Sequence, residues 1–389
     1  MADIAIVEAG TRAPSEERLL ETVGRNDRPK KRPAAGVRSH IQELDGLRAI
    51  AIIVVLLFHL EAYWFSLGWA GVTLFFVLSG FLITGILLDA KGSPHYLRNF
   101  YARRGLRIFP IYYLTLFVIT VVAVVLGRSV GDLPYYLVYT QNYLLGATSF
   151  TPSFPDAFNQ SWSLAVEEQF YLLWPLAILW LSRKRLLILT ATLFGLGLVS
   201  RALLLVLTHN ETLMDTALPA QLEPLAAGAA LAILVRSGHD IRAIAVKGMW
   251  VAIASGAWLL YLVHANGLSA YWHPQEWASS PSNLPTVTLL ALFFGGIVSM
   301  AVAGTPILSH LLRLRPLRHI GKISYGIYMF HFPVYVVVDK FLWHAFPGEP
   351  GLVPFAHPVG KLVITYLLAL ASWRFVESPL LRLKDRFTR

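Results

Sequence analysis

The chain has no cysteine among its 389 residues. This absence excludes disulfide bonds, thiolate nucleophiles and cysteine-ligated metal sites. Charged residues are also scarce, since Asp, Glu, Lys and Arg make up only 14% of the sequence, whereas a soluble globular domain has about 25%. Hydrophobic residues account for 56%, and the mean hydropathy is +0.56. This composition predicts an integral membrane protein.

The first 40 residues differ from the rest because they are polar, with a basic run at residues 30–32. They contain no apolar segment near Met1, so we expect no cleaved signal peptide. We interpret residues 1–40 as a cytosolic segment that is either a disordered tail or a loosely held amphipathic segment. A membrane domain is predicted at residues 41–380, followed by a short basic cytosolic tail at residues 381–389.

Apolar segments of bilayer length recur throughout the rest of the chain. An α-helix needs about 20 residues to cross the hydrocarbon core, and about ten segments reach that length. The predicted fold class is therefore all-α, a polytopic membrane protein with about ten transmembrane helices. The predicted spans are 47–66, 70–90, 107–126, 162–182, 186–208, 217–236, 247–266, 285–305, 322–345 and 357–377. A weaker apolar piece at 133–146 is interpreted as interfacial or re-entrant.

The net charge of +10 would suggest nucleic-acid binding in a soluble protein. Here the basic residues instead sort onto alternate loops. With a cytosolic N-terminus, all but four of the 33 Lys and Arg residues fall on cytosolic segments, as the positive-inside rule requires. The exceptions are Arg128, Arg201, Lys340 and Lys361. We therefore expect a multi-pass protein in a lipid bilayer, with both termini cytosolic and no nucleic-acid partner.

One apolar segment contains both Arg48 and His59. They are 11 residues apart, a rise of about 16 Å along an α-helix. His59 is thus predicted near the middle of a bilayer core about 30 Å thick. A histidine in such a place either bonds a backbone carbonyl within a packed helix or takes part in chemistry. The sequence leaves both interpretations open.

Acidic residues also lie within predicted spans. Glu167 and Glu168 are adjacent, so their side chains point about 100° apart on a helix. We expect one to face a polar interior and the other a partner or the interface. Arg201 and Glu223 lie at similar predicted depth on the next two helices. A buried ion pair is the simpler interpretation of these two, and contact with a substrate is the alternative.

Two further groups carry candidate chemistry. Arg104 and Arg107 are three residues apart, so they share a helix face. At the start of a helix, paired guanidiniums suit phosphate recognition, although membrane topology alone also produces such clusters. The second group consists of polar residues at helical spacing within an apolar segment, namely Ser324, Tyr325, Tyr328 and His331. These side chains either belong to a functional site or form hydrogen bonds between helices.

Several motifs follow one another in a fixed order: LDGLRAIAIIVVLLFH, GVTLFFVLSGFLITGILL, FYARRGLRIFPIYY, WSLAVEEQFYLLWP, GKISYGIYMFHFP and FVESPL. In this combination the chain resembles the acyltransferase-3 family of integral-membrane O-acyltransferases, over residues 44–379. The resemblance implies about ten helices in a bacterial inner membrane. It also implies acyl transfer from cytosolic acyl-CoA to an acceptor hydroxyl, commonly on a glycan or glycoconjugate, with secondary metabolites as further acceptors.

The resemblance also implies roles for individual residues. The family's essential Arg and His fall on Arg48 and His59, its arginine pair on Arg104 and Arg107, and its WSL-E glutamate on Glu167. Glu223 lies where the family often has Asp. Some members carry a hydrolase-like domain after the membrane part; we expect none here, which puts an extra-membrane transfer step in doubt.

A mechanism follows from the resemblance and from elementary chemistry. The donor is expected to be acyl-CoA, specifically acetyl-CoA, with its phosphates held by Arg48, Arg104 and Arg107. His59 would deprotonate the acceptor hydroxyl as general base or carry the acyl group as an acyl-imidazole. Ser79 or Tyr325 would stabilise the developing negative charge on the thioester oxygen.

The remaining predicted contacts concern the acceptor. Glu167 would bind acceptor hydroxyls or orient His59, and His331, Arg201 and Glu223 are further candidate contacts. We expect no metal and no permanently bound cofactor. A transporter or flippase for a polar lipid or small solute is the alternative function, because intramembrane ionisable residues also mark transport paths. A non-catalytic sensor is a third, weaker alternative.

Overall fold

The computed structural model describes residues 40–60, 65–208, 210–267, 284–345 and 353–383. Within these ranges the chain forms helices and turns, without strands. The predicted tail at residues 1–40 lies outside them except for its last residue, and so does most of the predicted tail at residues 381–389.

The α-helices are α1 (Gln42–His59), α2 (Ala70–Ala90), α3 (Tyr96–Val125), α4 (Leu133–Leu137), α5 (Gln141–Ala147), α6 (Trp162–Trp180), α7 (Arg183–Thr208), α8 (Glu211–Thr216), α9 (Leu222–Arg236), α10 (Ile241–Asn266), α11 (Thr286–Ala303), α12 (Pro306–Leu312), α13 (Arg315–Lys322), α14 (Ser324–Ala345), α15 (Val353–Ser372) and α16 (Ser378–Arg382).

Within the described residues, 7 helical segments are long and apolar enough to cross a membrane. They are Ala70–Ala90, Tyr96–Val125, Arg183–Thr208, Leu218–Arg236, Ile241–Asn266, Thr286–Ala303 and His357–Arg382. The chain is therefore an all-helical integral membrane protein. The other three predicted spans fall on α1, α6 and α14, helices of 18, 19 and 22 residues that carry polar side chains. The count of about ten spans stays a prediction.

Helix α2 occupies the centre of the bundle, where it packs against α1, α6, α9 and α11. Its closest neighbour is α9, because glycines on both helices let the backbones approach. A Cβ atom at Gly80 would collide with the carbonyl oxygen of Leu225, and one at Gly228 with that of Val77. This close crossing holds fixed the helix that carries Ser79.

Helix α3 is longer than predicted. It begins at Tyr96 rather than at residue 107 and runs for 30 residues, about 45 Å. Arg104 and Arg107 therefore lie in its third and fourth turns, not at its N-terminus, and the unpaired N–H groups of a helix start do not contribute to their site. The prediction was wrong because apolar content marks only the lipid-facing length of a helix, and the first turns of α3 are polar.

The weaker apolar piece at 133–146 forms two short helices, α4 and α5. The hydroxyls of Tyr112 and Tyr113 on α3 hold α4 in place by donating to the carbonyl oxygens of Tyr136 and Leu137, at 2.8 and 2.9 Å. Whether this segment is interfacial or re-entrant stays a prediction.

A single π-helical turn, Trp373–Glu377, joins α15 to α16. It turns Glu377 inward, where that side chain is 6% exposed and accepts a hydrogen bond of 3.2 Å from the hydroxyl of Ser372. Phe375, two residues earlier, is 73% exposed. Such turns occur often at functional sites.

Candidate active site

Five helices, α1, α2, α3, α6 and α14, enclose a cavity of about 620 Å³, its open mouth included. Its wall is mostly apolar on α2, while the other helices contribute guanidiniums, hydroxyls, one carboxylate and two apolar side chains. The lining residues are Arg48, Val72, Phe75, Phe76, Ser79, Arg104, Arg107, Ile108, Ser163, Leu164, Glu167, Ser324, Tyr325 and Tyr328. The cavity thus brings together six of the predicted site residues, namely Arg48, Ser79, Arg104, Arg107, Glu167 and Tyr325.

Arg48 and Arg107 are the free cations of this cavity. Both side chains are partly buried, and neither forms an ion pair with any residue that the structure describes. The two guanidiniums lie close enough to repel one another. Like charges held together away from bulk water favour an anion between them, and guanidiniums match the geometry of phosphate.

Arg104 has a different environment, because two carboxylates hold it. Its Nη2 lies 3.7 Å from Glu167 Oε2, and its Nε lies 3.8 Å from Glu168 Oε1. The guanidinium also stacks on Tyr171, 4.0 Å from the ring centre. Of the adjacent glutamates, Glu167 lines the cavity and Glu168 is not part of its lining, and both reach this arginine. Much of its charge is neutralised within the protein, so Arg104 is a weaker candidate for phosphate than Arg48 or Arg107.

The two predicted oxyanion donors both line the cavity, but each already donates its proton. The Ser79 hydroxyl donates to Glu167 Oε1. The Tyr325 hydroxyl donates to the carbonyl oxygen of Ile108 at 2.7 Å. Either group would have to give up its present acceptor before it could bond a developing oxyanion.

His59 is the last residue of α1 and does not belong to the described cavity lining. Its Nδ1 donates to the carbonyl oxygen of Val55 at 2.9 Å. Its ring lies 5.0 Å from that of His331 and 5.2 Å from that of Phe332, between centroids. His331 in turn lies 5.4 Å from the ring of Tyr328, which does line the cavity. The histidine pair therefore sits one side chain beyond the cavity, and no described contact joins His59 to Glu167.

Three residues near the cavity were given no role in the mechanism predicted from the sequence, although Tyr328 belonged to one of the candidate groups. Ser163 and Tyr328 share a hydrogen bond of 2.6 Å, and the Tyr328 hydroxyl lies 2.8 Å from the carbonyl oxygen of Gln160. Tyr328 shares the helical spacing of its neighbours, and Ser163 belongs to the WSL motif. Glu377 interacts electrostatically with Arg107; an acidic residue within the apolar FVESPL motif was the available signal.

Arg201 and Glu223 lie away from the cavity lining, in a buried ion pair that joins α7, α9 and α11. Arg201 is 3% exposed and Glu223 is 0% exposed. The guanidinium engages both carboxylate oxygens, with Nη2 at 2.6 Å from Oε1, and Nη1 donates to the carbonyl oxygen of Ala220 at 2.8 Å. Thr288 completes the network by donating to Glu223 at 2.6 Å. This geometry supports the simpler of the two predicted roles, a structural ion pair.

The pair makes a stability prediction. Arg201→Leu should destabilise the protein by about 3–5 kcal/mol, because it leaves a buried carboxylate without its partner. Arg201→Leu combined with Glu223→Leu should recover a large part of that loss, since both charges are then absent. Thermal unfolding in detergent measures both effects. A stable Arg201→Leu protein with impaired activity would instead place Arg201 in the site.

Residues 41–374 match the model of the acyltransferase-3 family, described as "Acyltransferase domain". The chain belongs to the acyltransferase-3 family. Among its relatives, the Peptidoglycan O-acetyltransferase OatA of Listeria monocytogenes is 29% identical over 389 residues, covering 90% of this chain and 57% of the relative.

Two further relatives give the same picture. The Putative peptidoglycan O-acetyltransferase YrhL of Bacillus subtilis is 30% identical over 377 residues, or 88% of this chain and 55% of the relative. The O-acetyltransferase OatA of Staphylococcus aureus is 30% identical over 365 residues, or 88% and 57%. The chain thus spans a little over half the length of these curated relatives. No solved structure matches it.

Proposed function

We propose that the chain is a membrane O-acetyltransferase that takes an acetyl group from acetyl-CoA and passes it to a hydroxyl of a cell-wall glycan. The proposal that acetyl-CoA is the donor rests on the cavity, which contains the guanidiniums of Arg48 and Arg107 without ion-pair partners among the described residues. These groups suit the phosphates of CoA, and the slender pantetheine arm suits the space beside them. The acceptor class is proposed from the names of the relatives, which act on peptidoglycan.

His59 is proposed to carry out the chemistry. Its Nδ1 donates to a carbonyl oxygen, so in the neutral imidazole Nε2 holds the lone pair. As a general base, Nε2 takes the hydroxyl proton while the hydroxyl oxygen bonds to the thioester carbon. The carbon–sulfur bond then breaks, and the CoA thiolate recovers the proton. As an acyl carrier, Nε2 itself attacks the thioester carbon, and the carbon–sulfur bond breaks to release the CoA thiolate. The hydroxyl oxygen then bonds to the acetyl carbon, the bond from that carbon to Nε2 breaks, and the proton lost by the hydroxyl is finally taken up by the thiolate.

The separation of Arg48 and His59 along α1 suits a single extended ligand that contacts both side chains. Arg48 and His59 are 11 residues apart, about 16 Å along the helix. The phosphate end of CoA, held at Arg48 and Arg107, cannot also reach His59. The extended pantetheine arm would carry the thioester that distance, past Tyr328 at the cavity wall.

Transfer by the purified protein tests this function. The protein, reconstituted in lipid nanodiscs, is given acetyl-CoA labelled in the acetyl group and soluble glycan strands prepared from peptidoglycan. We expect label on glycan hydroxyls and release of free CoA thiol in equal amounts. Label that stays on CoA would contradict the function and favour the transporter alternative.

The proposed orientation places both termini in the cytosol of a bacterial cell, with the chain in the inner membrane. Because the chain has no cysteine, a single introduced cysteine is the one thiol available for labelling. Asp156→Cys should react with an impermeant maleimide in intact spheroplasts. Lys184→Cys, at a position that is also exposed, should react only after permeabilisation. The opposite pattern would invert the topology.

A further inference from the structure

Helix α14 carries a row of polar side chains along one face. Its members are four, three, four and four residues apart, and they extend over about 22 Å of helix; they are Ser324, Tyr328, His331, Tyr335 and Asp339. We call this row the α14 strip. Polar groups inside an apolar helix are costly in a membrane and often mark a functional path.

The polar side chains at the two ends of the α14 strip have surroundings that explain them. At its start, Ser324 and Tyr328 line the cavity. At its far end, Lys361 on α15 lies 2.7 Å from Asp339 Oδ1 and 5.2 Å from the centre of the Tyr335 ring. This contact also explains why Lys361 departs from the charge sorting of the sequence, since its ammonium has a carboxylate partner.

The two side chains in the middle of the α14 strip, His331 and Tyr335, have polar atoms without such partners. His331 is 0% exposed and Tyr335 is 3% exposed. Neither His331 Nε2 nor the Tyr335 hydroxyl has a hydrogen-bond partner among the described residues. A buried polar atom left without a partner is destabilising, and a ligand with a hydrogen-bonding group would supply the partner that both atoms lack.

The hydrogen-bonding capacity of the pair defines that ligand. His331 Nδ1 donates to the carbonyl oxygen of Tyr328 at 2.6 Å, so in the neutral imidazole Nε2 can only accept a hydrogen bond. The Tyr335 phenol has a proton to donate. One alcohol hydroxyl, which both donates and accepts, satisfies the two atoms together. His59 lies beside them, 5.0 Å from His331 between ring centroids.

We propose that His331 and Tyr335 bind the acceptor hydroxyl in a second substrate site, beyond Tyr328 from the cavity, and that His331 is the base that deprotonates it. This inference rests on the proposed function and deepens it. The hydroxyl oxygen bonds to the acetyl carbon carried by His59, the bond from that carbon to His59 Nε2 breaks, and the hydroxyl proton moves to His331 Nε2. His59 is then the acyl carrier and His331 the base.

Tyr335→Phe gives the cleaner test, since it deletes one hydroxyl and keeps the ring. We expect the KM for glycan strands to rise roughly 3- to 10-fold, as loss of one hydrogen bond predicts, with an unchanged Kd for acetyl-CoA. Tyr136→Phe is the matched control, because Tyr136 is also buried with an unpartnered hydroxyl but lies on α4. It should change neither constant.

His331→Gln tests the base. We expect glycan acetylation to fall by about 10²- to 10⁴-fold, while the acetylated enzyme still forms and accumulates in intact-mass spectra. An unchanged glycan KM in Tyr335→Phe, or a loss of kcat alone there, would overturn the acceptor site, and so would wild-type transfer in His331→Gln. A wild-type protein that does not acetylate glycan would instead overturn the proposed function itself.

Discussion

Acetyl transfer is expected to fall by at least about 100-fold when His59 is replaced by alanine, while acetyl-CoA binding should be retained. Loss of a general base costs about 10²–10⁴ in rate, and loss of a covalent carrier costs at least as much. Binding should be retained because the proposed phosphate site includes Arg48, which lies about 16 Å from His59 along α1. The measurement pairs the transfer assay with calorimetric titration of acetyl-CoA on the same purified sample.

His239→Ala is the matched control for this variant. His239 also donates from Nδ1 to a backbone carbonyl, that of Leu234 at 3.2 Å, but it is exposed in the loop three residues beyond the end of α9. It should leave transfer unchanged. Near-normal product from His59→Ala would show that His59 is a packed helix histidine, bonded to Val55 and without a part in the chemistry. Rapid-quench detection of acetylated enzyme in the wild type separates the carrier role from the base role.

Removal of both free cations, in Arg48→Ala with Arg107→Ala, should weaken acetyl-CoA binding by about 100-fold or more. Each charge-assisted contact to phosphate contributes about 1.5–3 kcal/mol, and about 1.4 kcal/mol corresponds to a tenfold change in Kd. Removing two mutually repelling charges should not destabilise the empty protein, so unfolding temperature without ligand serves as the fold check. Titration with acetyl-CoA and with CoA gives the two affinities.

Two further arginine variants serve as comparisons for this predicted loss of binding. Arg98→Ala removes an exposed charge from α3, the helix that also carries Arg107, at a position outside the cavity lining. It should leave the Kd for acetyl-CoA unchanged. Arg104→Ala should weaken donor binding less than either cavity cation does, because Glu167 and Glu168 already hold its guanidinium. If the double variant binds CoA normally, these arginines serve only to orient the chain in the membrane.

The sequence was sufficient for features that depend on spacing along one helix. Arg48 and His59 do lie on a single helix, and Arg104 and Arg107 do share a face, since both line the cavity. The all-helical fold and the membrane location followed from composition, because apolar length and charge scarcity are properties of the chain itself.

Features that depend on which helices meet could not be predicted. The contact between His59 and His331 joins residues 272 positions apart, and nothing in either local segment specifies the other. Burial of two neighbouring carboxylates against Arg104 likewise requires that α3 and α6 cross at that depth. The start of α3 was misplaced for a related reason: polar turns that face a protein interior look like a loop when judged by hydropathy alone.

The π-helical turn at Trp373–Glu377 sets the rotational phase of the C-terminal end. A π-turn holds one residue more than the α-helical hydrogen-bonding pattern allows, so every later side chain is rotated by about 100° from its position on an uninterrupted helix. This offset brings Glu377 within 3.1 Å of the place where a Cβ on Gly326 would lie, at the start of α14. Deletion of one residue from the turn would leave the composition almost unchanged yet turn this carboxylate toward a different side of the bundle.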